Sequence, residues 1–180
     1  MIKHASPTCI QAITALFNRC LDSGQVPKQW KHSRIYPIPK RNTFDGDLNL
    51  TRPISLIEHI RKLYTKIITN RLNSAFTQHT ILSSFNYVAL PGNSTSIPIH
   101  ILNNLTEDAS SNHKDIWLLS QDMSKAYDSV NLTLLKQSLL RLALPLKTIN
   151  TIIDLFTNRH NQVITNLGLT FSYPVHNGID

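Results

Sequence analysis

The run LLSQDMSKAYDSV, residues 118–130, sets a short apolar stretch before an aspartate, a lysine, an aromatic and a second aspartate. Two readings are open. The run is either a strand that delivers a carboxylate to a reaction centre or an ordinary strand-to-helix turn with acidic caps. Residues 116–122 have the composition of a strand. Period-two alternation then turns Trp117, Leu119 and Gln121 to one face and Leu118, Ser120 and Asp122 to the other. Asp122 becomes the last side chain on its face, at a strand end that fixes its aim. A carboxylate there suits a hard Mg²⁺ ion, which takes one or two carboxylates plus substrate phosphates. In the second reading, Asp128 and Ser129 are N-cap candidates for a leucine-rich helix beginning near Asn131.

Upstream, SPTCIQAITALFNRCLDSG (residues 6–24) predicts a helix with Ser6 as N-cap, Pro7 at its first position and Gly24 as its stop. Ile10, Ile13, Phe17 and Cys20 fall on one face of it. The basic, aromatic segment that follows is extended over residues 34–40, and Pro37 and Pro39 restrict it to a sheet edge or an irregular ribbon. Asp45-Gly46 marks a turn. A long helix follows from PISL, with Ser55 and Glu58 as a capping box. Its Arg61, Lys62 and Arg71 read as solvated or phosphate-contacting. LPGNSTS is a second turn, ahead of an amphipathic helix from about Ser96 to Ala109. Beyond residue 130 come two short helices split by Pro145, then a β-hairpin turning near Asn166 to Gly168. Helices first, then a strand, two helices and a hairpin make an α+β chain rather than a βαβ repeat.

The 180 residues suffice for one substantial domain or two small ones around a core. The formal charge of +7 favours a polyanionic partner, nucleic acid before acidic membrane. No apolar run has the 18 or so residues of a membrane span, and the N-terminus lacks a signal-peptide core. The expectation is an intracellular protein without a membrane partner. Cys9 and Cys20 lie roughly 16 Å apart along one helix, too far to pair. The eight histidines show no metal-ligand spacing, and LPGNSTS lacks the pattern of a phosphate loop.

RIYPIPK, NLTRPISL, LPGNST, QDMSKAYDSV and VITNLGLTFSYPVHNGI occur in that order. Together they resemble the reverse transcriptases of non-long-terminal-repeat, LINE-like retrotransposons, over nearly the whole chain from about Gly24. The resemblance implies the fingers and partial palm of a right-hand polymerase. Residues 1–110 would be fingers, with helices contributing to the palm, and residues 111–180 the N-terminal part of the palm. It implies nucleotidyl transfer from a dNTP to a DNA primer on an RNA template, with two Mg²⁺ ions. Asp122 would bind both ions and Met123 would offer a backbone carbonyl to one. Tyr127 would pack under the sugar and exclude a ribose 2′-hydroxyl. The backbone amides of Lys125 and Ala126 would lie near the triphosphate, and Lys40 and Arg52 would grip it. Trp30, Lys31 and Arg34 would serve the template or the surface. Nuclear action is what such an element needs, though no targeting signal supports it.

The sequence departs from the family in places. NLTRPISL has Leu-Thr where one aromatic is usual between Asn and Arg, and SSFNYVALPGNST lacks the common Gln-x-Gly-Phe-Arg run. After HNGID the family continues with Gln-Gly and later an aromatic-Ala-Asp-Asp turn. Neither is present, so the palm is expected to be incomplete at its C-terminal end and the chain inactive alone. Two rival readings are a non-catalytic basic nucleic-acid-binding module and a fragment of an RNA-directed RNA polymerase. Tyr127 argues against the latter, which needs room for the 2′-hydroxyl.

Overall fold

The computed structural model describes residues 5–40, 46–82, 85–88 and 94–179. Helix α1, Pro7–Ser23, opens on the Ser6 side chain, which accepts from the Cys9 amide, and closes at Gly24 with φ 68°. One 3-10 turn, Lys28–Lys31, leads into strand β1, His32–Pro39, and strand β2 is Thr51–Leu56. Helices α2, His59–Gln78, and α3, Ser96–Ser111, come next. Helices α4, Leu132–Arg141, and α5, Leu146–Phe156, precede strands β3, Arg159–Thr165, β4, Gly168–Leu169, and β5, Tyr173–Val175. The predicted turn residues Asp45 and Leu90 to Asn93 lie outside the described residues.

The mixture of helix and sheet is the expected one, with corrections in detail. Ser55 lies in β2 and α2 starts only at His59, so the proposed capping box does not open that helix. The chain packs as two units, Met1–Tyr64 with Lys125–Asp180, and Thr65–Ser124. This is a division by packing, and its boundaries do not coincide with residue 110.

In the first unit the strands run in the order β2-β1-β3-β4, with β5 also paired to β3. β1 is therefore internal, where its prolines predicted an edge. The register explains how. β1 pairs in parallel with β3 only from His32↔His160 to Ile35↔Val163, while its antiparallel pairing with β2 continues to Pro39↔Thr51. The proline half is thus open on one side. Pro37 stands opposite Pro53, at a position of the ladder where neither residue needs an N–H.

The core of this unit gathers around α5, which packs against α1 and α4. Phe17, Trp30 and Tyr64 form an aromatic cluster with centroids 5.1–6.2 Å apart. Ile149 and Leu155 of α5 and Leu139 of α4 are buried too. Asp154 accepts from the Val26 amide at 2.8 Å and from Lys31 Nζ at 2.7 Å, which ties α5 to the segment after α1. Thr151 Oγ1, fully buried, donates to the Cys20 and Lys147 carbonyls. Trp30 and Lys31 therefore belong to the core and its rim, not to a template surface. Arg61 is also buried, and its guanidinium donates to the Trp30 carbonyl at 2.9 Å, so it is no solvated cation.

In the second unit, Ala109 is the buried apolar residue among those described. The strand expected over residues 116–122 is not formed. Residues 114–123 carry no regular structure, and Trp117 and Leu119 are 92% and 97% exposed. A strand exists only where its N–H and C=O groups meet a neighbour, and no described strand pairs with this segment. The composition was that of a strand; the ladder is missing.

Burial pushes the Cys20 thiol above its usual pKa, so it carries less thiolate at neutral pH, while Cys9 is exposed. An aromatic disulfide reagent is expected to modify Cys9 promptly and Cys20 only on unfolding. Two equally fast thiols would contradict this packing of α1. Phe17→Ala is expected to cost about 3–5 kcal/mol in denaturant unfolding, as for other buried aromatics.

Candidate functional site

Residues 125–129 form a tight turn. The Ser129 amide donates to the Lys125 carbonyl at 2.9 Å, and Lys125 itself has φ 49°. The cap of α4 is Asn131, whose side chain accepts from the Thr133 and Leu134 amides at 2.9 and 3.1 Å. Asp128 and Ser129, the expected caps, lie inside the turn instead. The Ser129 hydroxyl donates to the Ala126 carbonyl at 3.3 Å.

A second segment clasps this turn from outside. The Gly178 amide donates to the Val130 carbonyl and the Ile179 amide to the Tyr127 carbonyl, both at 2.9 Å. The approach requires glycine. A Cβ at Gly178 would lie 2.7 Å from Asp128 Cα, and the residue has φ 82°. Arg159, buried at the start of β3, donates to the Asn177 carbonyl at 2.9 Å and the Gly178 carbonyl at 2.7 Å.

Turn, clasp and sheet enclose a cleft of about 610 Å³ within the first unit. Ile35, Pro53 and Ser55 form its wall on the β1–β2 side, with Tyr173 and Val175 of β5 opposite. Lys125, Ala126 and Tyr127 line it together, and Tyr127 is 72% exposed. The backbone of Tyr127 is hydrogen-bonded while its ring stays largely exposed.

The other site candidates lie elsewhere. Lys40 closes the β1–β2 ribbon, its amide donating to the Leu50 carbonyl at 2.8 Å and its Nζ to the Asn49 carbonyl at 3.0 Å. Arg52 is exposed opposite Ile38, and alternation puts Lys40 and Arg52 on one face of the ribbon. Neither lines the cleft. Asp122 and Met123 belong to the other packing unit, and both are exposed. No group of three His, Cys, Asp or Glu side chains able to hold a metal exists among the described residues.

Residues 38–174 match the reverse transcriptase (RNA-dependent DNA polymerase) family. The chain belongs to the reverse transcriptase family. Similar proteins include a probable RNA-directed DNA polymerase from transposon BS of Drosophila melanogaster, 30% identical over 129 residues. The RNA-directed DNA polymerase from mobile element jockey, of the same species, is 27% identical over 121 residues. A retrovirus-related Pol polyprotein from type-1 retrotransposable element R2 of Nasonia vitripennis is 26% identical over 154 residues. These alignments cover 72%, 67% and 85% of this chain but only 14%, 13% and 14% of the relatives' lengths. They support the LINE-like resemblance of its motifs. The reverse transcriptase match runs from Ile38 in β1 to Pro174 in β5. It contains the last two residues of β1, all of β2, the Tyr127 turn and Arg159, and stops short of Gly178.

Sequence reasoning missed Arg159 and the contact role of Gly178. Gly178 stands in HNGID, a stretch already singled out. Nothing local marks the tie of Arg159 to the clasp, because the carbonyls it reaches there lie 18 and 19 residues away. Gly178→Ala is expected to lower the denaturant midpoint by the equivalent of about 1–3 kcal/mol, the scale of backbone strain, at an unchanged slope. A wild-type midpoint would contradict the close approach at Asp128.

Proposed function

We propose that this chain supplies the fingers, residues 1–110, and the first part of the palm, residues 111–180, of a retroelement RNA-directed DNA polymerase. The observation that carries the reading is the Tyr127 ring, exposed at a 610 Å³ cleft on a turn whose backbone is pinned by two hydrogen bonds from Gly178 and Ile179. An aromatic at a cleft, on a backbone fixed by hydrogen bonds, can accept a deoxyribose against its face and reject a 2′-hydroxyl by contact. Lys125 and Ala126, on the same turn, would face the triphosphate, where successive backbone donors and a cation suit an anion. Lys40 and Arg52 would close on the phosphates from the ribbon, Lys as a point charge and Arg as a two-pronged donor.

Asp122 and the Met123 carbonyl are oxygen donors of the type Mg²⁺ takes. They fit as part of a ligand set, and the described residues do not complete it. When bound, two such ions stabilise the attacking 3′-hydroxyl and the departing pyrophosphate. Asp122 contributes a carboxylate with no hydrogen bond or ion pair among the described residues. An RNA template, a DNA primer and a dNTP are the partners this reading requires, and the nucleus is the compartment.

Fluorescent dATP and ATP titrated against the chain with Mg²⁺ test the sugar contact. Wild type is expected to favour dATP, and Tyr127→Val to bring the two affinities within about twofold. An unchanged preference in that variant would refute the role of Tyr127. On a primed RNA template the chain is expected to bind with strong salt dependence and to extend nothing, for want of a full carboxylate set. Metal-dependent extension would show that the described donors suffice.

A further inference from the structure

The cleft contains a cation that the sugar contact and the phosphate contacts leave without a task. Arg159 lines it, yet is only 4% exposed. A guanidinium so covered has little surface to offer a ligand. Its donors are spent on the protein's own backbone. Nη2 donates to the carbonyls of Asn177 and Gly178, Nε donates to the Phe156 carbonyl at 3.3 Å, and its Cζ sits 5.7 Å from the Phe156 ring centroid. These bonds anchor the clasp segment to the end of α5 and the start of β3.

The clasp in turn holds the turn. Gly178 and Ile179 reach the Val130 and Tyr127 carbonyls through their amides, and Gly178 lies against Asp128 with no room for a side chain. A continuous path therefore runs from the Arg159 guanidinium, through the carbonyls of residues 177 and 178, to the backbone of Tyr127. Every link lies within one packing unit.

We infer that Arg159 is a positioning residue that sets the sugar selectivity of Tyr127 from behind, by fixing the clasp against the Tyr127 turn. The inference rests on the sugar-contact reading above and adds the device that holds the ring in place. Selectivity by contact needs the ring fixed to a fraction of an ångström, because a ring that can recede admits the extra hydroxyl. The 127–130 segment has few other anchors: it projects at a cleft, and Tyr127 and Asp128 are both exposed. The planar fork of Arg matters here. It engages carbonyls of two chain segments at once, through Nε and Nη2, in a planar arrangement that a flexible ammonium does not reproduce.

The test compares wild type with Arg159→Gln, Arg159→Lys and Tyr127→Val in the 180-residue chain. Amide hydrogen exchange reads the clasp at Gly178 and Ile179 and the turn beneath it at Ser129. The dATP-to-ATP affinity ratio reads the consequence. In Arg159→Gln those amides are expected to exchange roughly tenfold faster, the effect of losing bonds to a charged donor, while the amides of α1 keep their rates. The same variant should lose most of the dATP preference. Arg159→Lys should fall between, and it serves as the deciding variant if Arg159→Gln does not fold.

Wild-type exchange at the clasp in the folded variants overturns the inference. So does a uniform rise across the whole unit with the nucleotide ratio intact, because that is a purely structural role. Faster clasp exchange with an unchanged ratio, in a background where Tyr127→Val does shift it, also overturns it. A wild-type ratio in Tyr127→Val is a different failure: it removes the sugar-contact reading itself, and this inference with it, whatever Arg159 does to exchange.

Discussion

The first packing unit depends on one pairing, the parallel ladder between His32–Ile35 of β1 and His160–Val163 of β3. Parallel strands cannot be joined by a tight turn, so this pairing brings together segments far apart in the chain. It places Ile35 beside Val163 and, through β2 and β5, sets Ser55 and Tyr173 as walls of one cleft. The Tyr127 turn can be clasped by Gly178 only because β5 delivers the chain to that side of the sheet. Without the ladder there are two separate hairpins and no cleft.

Burial then divides the basic residues into structural and available ones. Lys31, Arg61 and Arg159 are drawn inward, bound to Asp154, to the Trp30 carbonyl and to the clasp carbonyls respectively. Lys40, Arg52 and Lys125 remain exposed. The excess of positive charge over the whole chain therefore overstates what faces a polyanion. For a protein of the reverse transcriptase family the distinction matters, since a count of cations treats all six alike. Only tertiary contacts separate the buried cations from those left at the surface, among which Lys40 also donates to the Asn49 carbonyl.

Much of the fold was legible in advance. The α1 boundaries followed from Ser6, Pro7 and Gly24, because caps act over one turn of chain. The hairpin of β3 and β4 followed from alternation and from Gly168, which has φ 114° and joins strands paired at Thr165↔Gly168. The misreadings share a cause. Residues 116–122 have strand composition but no described partner, the prolines of β1 sit in a half-open ladder, and α4 takes its cap from Asn131. In each case the local pattern was compatible with more than one outcome: β3 takes β1 inside the sheet, residues 116–122 meet no described strand, and Asn131 outcompetes the earlier cap candidates. The Tyr127 turn was singled out by its motif, whereas its support by Arg159 and Gly178 was not.

The sequence by itself determined the family, the ends of α1 and the Lys125-Ala126-Tyr127 run that lines the cleft, because motifs and caps are read within a few neighbouring positions. Tertiary structure alone decided that β1 is internal, that Trp30 and Arg61 are core, and that the segment bonded to the Tyr127 turn is itself bonded to the buried Arg159 guanidinium. Those outcomes rest on hydrogen bonds and packing between segments tens of residues apart, whose free energy exists only once the chain has closed upon itself.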